Sequence, residues 1–293
     1  MIGSRQRWIN VTELAMTRTL ERTEELNYVE ADLNYIVDDG QKPVMYVDWP
    51  EEEHKAHPPK YEAHRCRIYD ARPIADQFNL RDHGIAFATI PSKVKDFYDT
   101  VEVERVYNDE VSAIIKDAIG AANVVVFDHT FRTLNDAILE TNNTREPVKA
   151  VHNDYTDRSA RQRLRDIVGD EEAEELLKKR FAIVQTWRPI NHPVFTEPFA
   201  LADGSTIPSS GFVAMERRYS HRTAETYHIS YDPNHVFYYL SEMTPEETYI
   251  FKVYDSDKKA GVPFTGHTAF DDPTSSPHAQ PRESVETRAL AFF

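Results

Sequence analysis

Residues 150–157 read AVHNDYTD, in which His152 and Asp154 come just after the β-prone run PVKAV (147–151). In a strand, residues two apart share a face. His152 and Asp154 therefore point the same way, an imidazole beside a carboxylate. Such a pair can supply two of the three ligands of a 2-His-1-carboxylate site, which holds Fe(II) on one face and leaves positions open opposite. The plainer readings are an exposed strand histidine and an aspartate that caps a helix starting near Asp157. The missing ligand has to come from a distant strand. Downstream lie His192, His221, His228, His235, His267 and His278. His267, in FTGHTAFDDP, stands out because it follows a strand ending near Tyr254 and precedes the last strand by one loop. The separation from His152 is 267 − 152 = 115 residues, room for the intervening strands of a barrel.

The rest of the chain agrees with a β-rich frame. Short β-branched and aromatic runs alternate with Pro, Gly, Asp and Asn: PVMYVDW (43–49), RCRIYDAR (65–72), GIAFATI (84–90), NVVVFDHTFR (123–132), PVKAVHNDYT (147–156), RFAIVQTWRPI (180–190), FALAD (199–203), TYHISYD (226–232), HVFYYLSEM (235–243), ETYIFKVYDS (247–256) and ESVETRALAFF (283–293). Helices are fewer. NDEVSAIIKDAIG (108–120) has a polar start, an apolar face and a closing glycine. Residues 157–180 read as two short helices broken at Gly169, with acids at the start and bases at the end of the second. Many strands and few helices after residue 120 indicate a β-sandwich or barrel. The expected organisation is one domain over 1–293, with flanking strands and loops in 1–104 and the catalytic core in 105–293.

Composition narrows the partners. The chain has 293 residues and a formal charge of −15, from 49 acidic and 34 basic side chains. Nucleic-acid binding calls for a basic footprint, so this balance argues against that class while leaving room for a small local basic pocket. No apolar run is long enough to span a membrane, and MIGSRQRWINVTELAM lacks the apolar core of a signal peptide. One cysteine, Cys66, rules out an internal disulfide and a cysteine-rich zinc site. These features, with sequons at Asn10 and Asn142 that matter only on secretion, suggest a cytoplasmic protein.

The final segment, PRESVETRALAFF, places Arg282, Ser284, Glu286 and Arg288 on one face at period two. An arginine there is positioned to clamp a carboxylate with its bidentate fork. The alternative is that Arg288 pairs with Glu286. In QTWRPI, Gln185 and Trp187 share a face and Arg188 takes the other. Gln185, Trp187, Arg132 and Tyr155 are candidates for the substrate pocket, Arg132 as an anchor for an acidic group. His129, in FDHTFR, has no carboxylate two residues on, and a structural hydrogen bond suits it better than ligation.

The pieces VVVFDHTFR, VHNDYTDRSARQRL, QTWRPINHPVFTEPFALAD, IFKVYDS, GHTAFDDP and PRESVETRALAFF resemble the CmcJ/NvfI group of non-haem iron oxygenases, which includes gibberellin desaturase-like and aspergillic-acid hydroxylase-like enzymes. The resemblance covers residues 105–293. It implies a mainly β protein with a double-stranded β-helix (jelly-roll, cupin-like) core and flanking helices. It implies Fe(II), 2-oxoglutarate as cosubstrate, and O2. By position the metal ligands are His152, Asp154 and His267, and Arg282 or Arg288, with Ser284 nearby, binds the 2-oxoglutarate carboxylate.

The implied reaction hydroxylates, desaturates or cyclises a small secondary metabolite, an Fe(IV)=O species taking a hydrogen atom from an unactivated C–H bond. Two rivals are a cupin-like isomerase or hydrolase using Zn or Mn, and a non-catalytic subunit that binds a small molecule.

Overall fold

The computed structural model describes residues 23–142 and 144–293. The sequon at Asn10 and the N-terminal stretch 1–16 lie outside the described residues. Among the described residues, no helix is long and apolar enough to cross a membrane.

Fourteen strands are described: β1 (Tyr28–Ile36), β2 (Val44–Tyr46), β3 (Tyr61–Asp70), β4 (Ile85–Thr89), β5 (Asn123–Thr133), β6 (His152–Asn153), β7 (Phe181–Pro189), β8 (Phe199–Ala202), β9 (Phe212–Arg218), β10 (Thr223–Ile229), β11 (Phe237–Tyr239), β12 (Glu247–Asp255), β13 (His267–Ala269) and β14 (Glu283–Phe292). They form a nine-stranded sheet, order β1-β3-β11-β8-β13-β6-β10-β9-β2, and a five-stranded sheet, order β4-β12-β7-β14-β5. The strands before residue 104 extend both sheets: β1, β2 and β3 at the ends of the large one, β4 at an edge of the small one. The expected jelly-roll is the observed architecture.

Each sheet hides apolar groups by alternation. Between the sheets lie Trp187, Phe199, Leu201, Tyr249, Phe251 and Phe264. The outer face of the small sheet buries Ala182, Val184, Ile250, Val285 and Ala289 against helix α1 (Asn108–Ile119), which contributes Val111, Ile114 and Ile115. Gly120 ends α1 in the left-handed region at φ 69°, where a glycine carries no Cβ penalty. His129 bridges these layers, with Nδ1 2.8 Å from Thr287 Oγ1 and Nε2 2.8 Å from Asn108 Oδ1.

Some local readings differ from the structure. The run 147–156 narrows to the two residues of β6, joined by a bridge from Ala150 to Asn34. The chain leaves the ladder at once because it must turn into helix α2 (Asp157–Val168). That helix is capped by Thr156, whose side chain accepts from Ser159 N in a capping box, so Asp154 is free of the capping role. Gly169, at φ 84°, separates α2 from α3 (Asp170–Leu176) as expected.

The segment between the metal motif and α2 is tied down by a charged cluster. Thr156 Oγ1 donates to Glu225 on β10. Arg158 Nη2 lies 2.8 Å from Glu225 and 2.9 Å from Glu216. Lys42 also reaches both carboxylates, at 2.7 Å for Glu216. Burial alone would raise the pKa of Glu216 and of Glu225, but Lys42 with Arg218 and with Arg158 outweighs it and holds both below the usual 4.5. A depressed folded-state pKa gives stability that is present above the unfolded value and lost as pH falls through the folded one. The expected outcome for Glu225→Gln is a loss of about 1–3 kcal/mol at pH 7. In urea unfolding, the gap between wild type and variant closes as pH drops below 4.5; a gap independent of pH refutes the account.

Candidate metal centre

Two strands and one turn bring the three expected ligands together. His152 on β6 pairs directly with His267 on β13, and with His228 on β10 at its other side. Directly opposed residues share a face, so the three imidazoles form a row across the large sheet. Asp154 follows β6 by one residue and points the same way as His152. Asn153 between them has partners of its own, Nδ2 donating to Tyr155 O at 2.6 Å and to Val253 O on β12 at 2.9 Å. The common direction read for His152 and Asp154 holds in a strand of only two residues.

The ligand atoms of His152, Asp154 and His267 lie within 4.8 Å of one another, the single such cluster of three or more among the described residues. Asp154 Oδ1 is 3.4 Å from His152 Nε2 and 3.7 Å from His267 Nε2. His152 Nδ1 lies 2.8 Å from Ala150 O. A carbonyl can only accept, so Nδ1 carries the proton and the Nε2 lone pair faces the cluster. The two nitrogens of His267 are buried without a protein partner. Burial, then His152, holds His267 well below its usual pKa, which keeps the ring neutral and fit to ligate.

Asp154 is oriented from behind. Its Oδ2 accepts from Gln185 Nε2 at 2.6 Å and from Arg288 Nε at 2.7 Å. Burial would raise its pKa, yet Arg288 and both histidines keep it well below the usual carboxylate range. The carboxylate thus stays charged, with Oδ1 free toward the histidines.

The last strand behaves as its alternation predicts. Ser284, Glu286 and Arg288 face inward, and Val285 and Ala289 pack in the outer layer. Arg288 is saturated: it also binds Asp128 at 2.6 Å, Thr130 at 2.9 Å and Glu286. The pairing with Glu286 weighed from the sequence is present. Arg282 is different. It is 1% exposed, donates Nη1 to Glu197 O, and leaves Nε and Nη2 with no partner. Burial lowers its pKa to about 10. Its guanidinium lies 5.3 Å over the Trp187 ring. Trp187 stacks on Phe199 at 4.9 Å, and Phe199 on His267 at 5.3 Å. A continuous aromatic wall therefore links the incompletely bonded guanidinium to His267.

Of the other expected pocket residues, Gln185 and Trp187 share the inner face and Arg188 lies on the outer one, over Tyr107. Arg132 donates to Glu146 O at 3.0 Å and sits 3.8 Å from Glu286. Ser284 Oγ reaches Arg132 O at 3.5 Å. Tyr155 is 7% exposed, and burial raises its hydroxyl pKa. Sequence reading named His228 only as one of the histidines that could be the missing ligand and did not place it beside His152. It is 4% exposed, stacks on His152 at 5.9 Å and has Nδ1 3.0 Å from Tyr61 OH. Alternation along TYHISYD carried a signal, since His228 and Thr226 share one face, but only the pairing with β6 reveals its neighbour.

The family described as "Oxidoreductase/YMDC permease-like domain" matches residues 26–292. The Fe(II)/2-oxoglutarate-dependent dioxygenase nvfI of Aspergillus novofumigatus is 35% identical over 236 residues, 78% of this chain and 83% of the relative. The hydroxylase/desaturase efuI of Hormonema carpetanum is 29% identical, over 80% of this chain and 85% of the relative. Among solved structures, the iron and alpha-ketoglutarate-dependent endoperoxidase NvfI superposes with a TM-score of 0.80 at 29% identity, covering 90% of this chain and 98% of that one. With a family match over most of its length, a relative 35% identical and a shared fold, this chain belongs to the NvfI-type family of Fe(II)/2-oxoglutarate-dependent oxygenases.

Proposed function

We propose that His152, Asp154 and His267 hold the Fe(II) and that Arg282 grips the distal carboxylate of 2-oxoglutarate. The observation that carries this assignment is the contrast between the two arginines. Arg288 meets three carboxylates, whereas Arg282, buried beside the same aromatic wall, has two donor nitrogens without a partner. Leaving such donors unpaired costs several kcal/mol, and an anionic cosubstrate removes that cost. The donor set fits a ferrous ion: two neutral imidazoles and one carboxylate on a single face. The rival readings, a Zn or Mn hydrolase or isomerase and a non-catalytic partner, leave Arg282 unexplained.

Bound iron with its cosubstrate supplies the oxidising power to remove hydrogen from an unactivated C–H bond. The protein's own work is positional. Ala150 O fixes the His152 tautomer, Arg288 and Gln185 fix the Asp154 carboxylate, and the Trp187–Phe199 wall keeps water from the diacid. Tyr155, Arg132, Gln185 and Trp187 border the space for a small secondary-metabolite substrate, with Ser284 beside Arg132 on the cosubstrate side. We assign no nucleic-acid partner and a cytoplasmic location. We read the described residues as one oxygenase domain, in which those up to 104 flank a catalytic core that starts at 105. Hydroxylation, desaturation and cyclisation are the outcomes open to this centre.

The ligand set is tested by binding. Alanine at His152, Asp154 or His267 should abolish succinate formation and anaerobic Fe(II) binding; wild-type affinity in all three overturns it. The two arginines should separate. Arg282→Gln should weaken 2-oxoglutarate binding at least about 30-fold, the equivalent of losing a buried charge pair, with Fe(II) affinity retained. Arg288→Gln should weaken Fe(II) by about 10- to 100-fold, as expected for a group that orients a ligand. Calorimetry of both variants decides, and identical losses in the two would reverse the assignment.

A further inference from the structure

The motif IFKVYDS carries two charged residues that the metal centre does not use. Lys252 is 1% exposed and Asp255 fully buried. By alternation along β12, Tyr249 and Phe251 face the metal centre and Lys252 faces the opposite side of the small sheet. There it floors a cavity of about 320 Å³ between that sheet and the C-terminal end of α1. Four cationic side chains line the cavity: Arg81, Arg180, Lys252 and Lys259. Leu80 and Ile119 supply apolar wall, and no carboxylate is among the lining residues.

Local acids do not balance this charge. Asp255 lies 3.3 Å from Lys252 Nζ and also takes both arms of Arg180, at 2.8 and 3.2 Å. One carboxylate thus serves two cations. Asp82 adds only a longer-range attraction for Lys252. Neither Arg81 nor Lys259 makes a side-chain ion pair among the described residues. Burial accordingly pulls the Lys252 pKa down. In a chain of formal charge −15, gathering four cations around one hollow runs against the average of the surface.

We propose that this cavity is a second binding site, separate from the metal centre, for a small phosphate ester. A tetrahedral oxyanion accepts from cations arriving from several directions, and guanidinium and ammonium groups are its usual partners. The volume sits at the lower end of small-molecule sites, about 300–1,000 Å³. The apolar wall leaves room for a carbon body attached to the phosphate. Lys252 and Phe251 are neighbours on β12, and Phe251 contacts His267 at 5.2 Å, so an occupant would rest one residue from the metal centre's own wall.

The test is calorimetric titration of the full chain with inorganic phosphate and with phenyl phosphate, at fixed ionic strength. Saturating Mn(II) and 2-oxoglutarate are present, so that Arg282 is engaged. Both phosphates should bind. The double variant Arg81→Gln/Lys259→Gln alters only exposed rim side chains and should fold; it should weaken both at least tenfold. Lys252→Met should abolish binding. No binding of either phosphate, or equal affinity in the rim variant, overturns the proposal. In a parallel titration without 2-oxoglutarate, phosphate that is then displaced by added 2-oxoglutarate would place it at Arg282 and overturn it equally. Because the readout is phosphate affinity, its failure is distinct from failure of the iron and 2-oxoglutarate assignments.

Discussion

The candidate metal centre depends on the contact between Arg288 and Asp154. A carboxylate enclosed between two sheets loses several kcal/mol of hydration, and left alone it would take up a proton. The guanidinium, 2.6–2.7 Å from Oδ2, keeps it charged and fixes which oxygen is spoken for. Oδ1 is then directed at the two imidazoles by default. The arginine is itself held by Asp128, Thr130 and Glu286. Four residues from β5 and β14, with Gln185 from β7, thus set the angle of one ligand that hangs from the large sheet. The two sheets are coupled at this point by charge as much as by apolar packing.

That coupling explains what could be read locally and what could not. The inward set Ser284, Glu286 and Arg288, and the sharing of a face by Gln185 and Trp187, follow from a period of two and were legible. So was the common direction of His152 and Asp154. The choice of His267 among six downstream histidines was not a matter of period. It rests on the pairing of β13 with β6, a contact between segments 115 residues apart, made by a strand only three residues long. No local pattern marks so short an element. β1 is a different kind of miss: YVEADLNYI alternates well, but its acidic outer face resembles the loops around it. β9 was overlooked because it begins directly after a short helical turn at Ser209–Gly211.

The two arginines show where chemistry outruns pattern. Both were placed on one face by the same alternation, and nothing in PRESVETRALAFF separates them. They differ in what opposes them. Arg288 meets Asp128 from β5, its own neighbour Glu286 and Asp154 from the turn after β6. Arg282 sits just before β14, where the opposing atoms are the carbonyl of Glu197 and the face of an indole. The acid that could have answered it, Glu197, is drawn off by Lys149 at 2.6 Å. Compensation is a property of three or four strands at once, so it appears only when the fold is assembled.

The same criterion distinguishes structural ion pairs from binding groups across the molecule. Folding does not leave a buried donor unpaired without cost. A charge that the chain fully satisfies, such as Arg288 or the Glu216–Glu225 cluster, is accounted for by the fold itself. A charge that the chain buries and then under-serves is accounted for only by something the chain does not contain. Arg282 meets that description on the inner face of the small sheet, and Lys252, sharing a single carboxylate with Arg180, meets it on the outer face. The two lie on opposite sides of one sheet, and β12 presents Tyr249 and Phe251 to one side and Lys252 to the other. Whatever fills one therefore rests on the same backbone ladder as whatever fills the other.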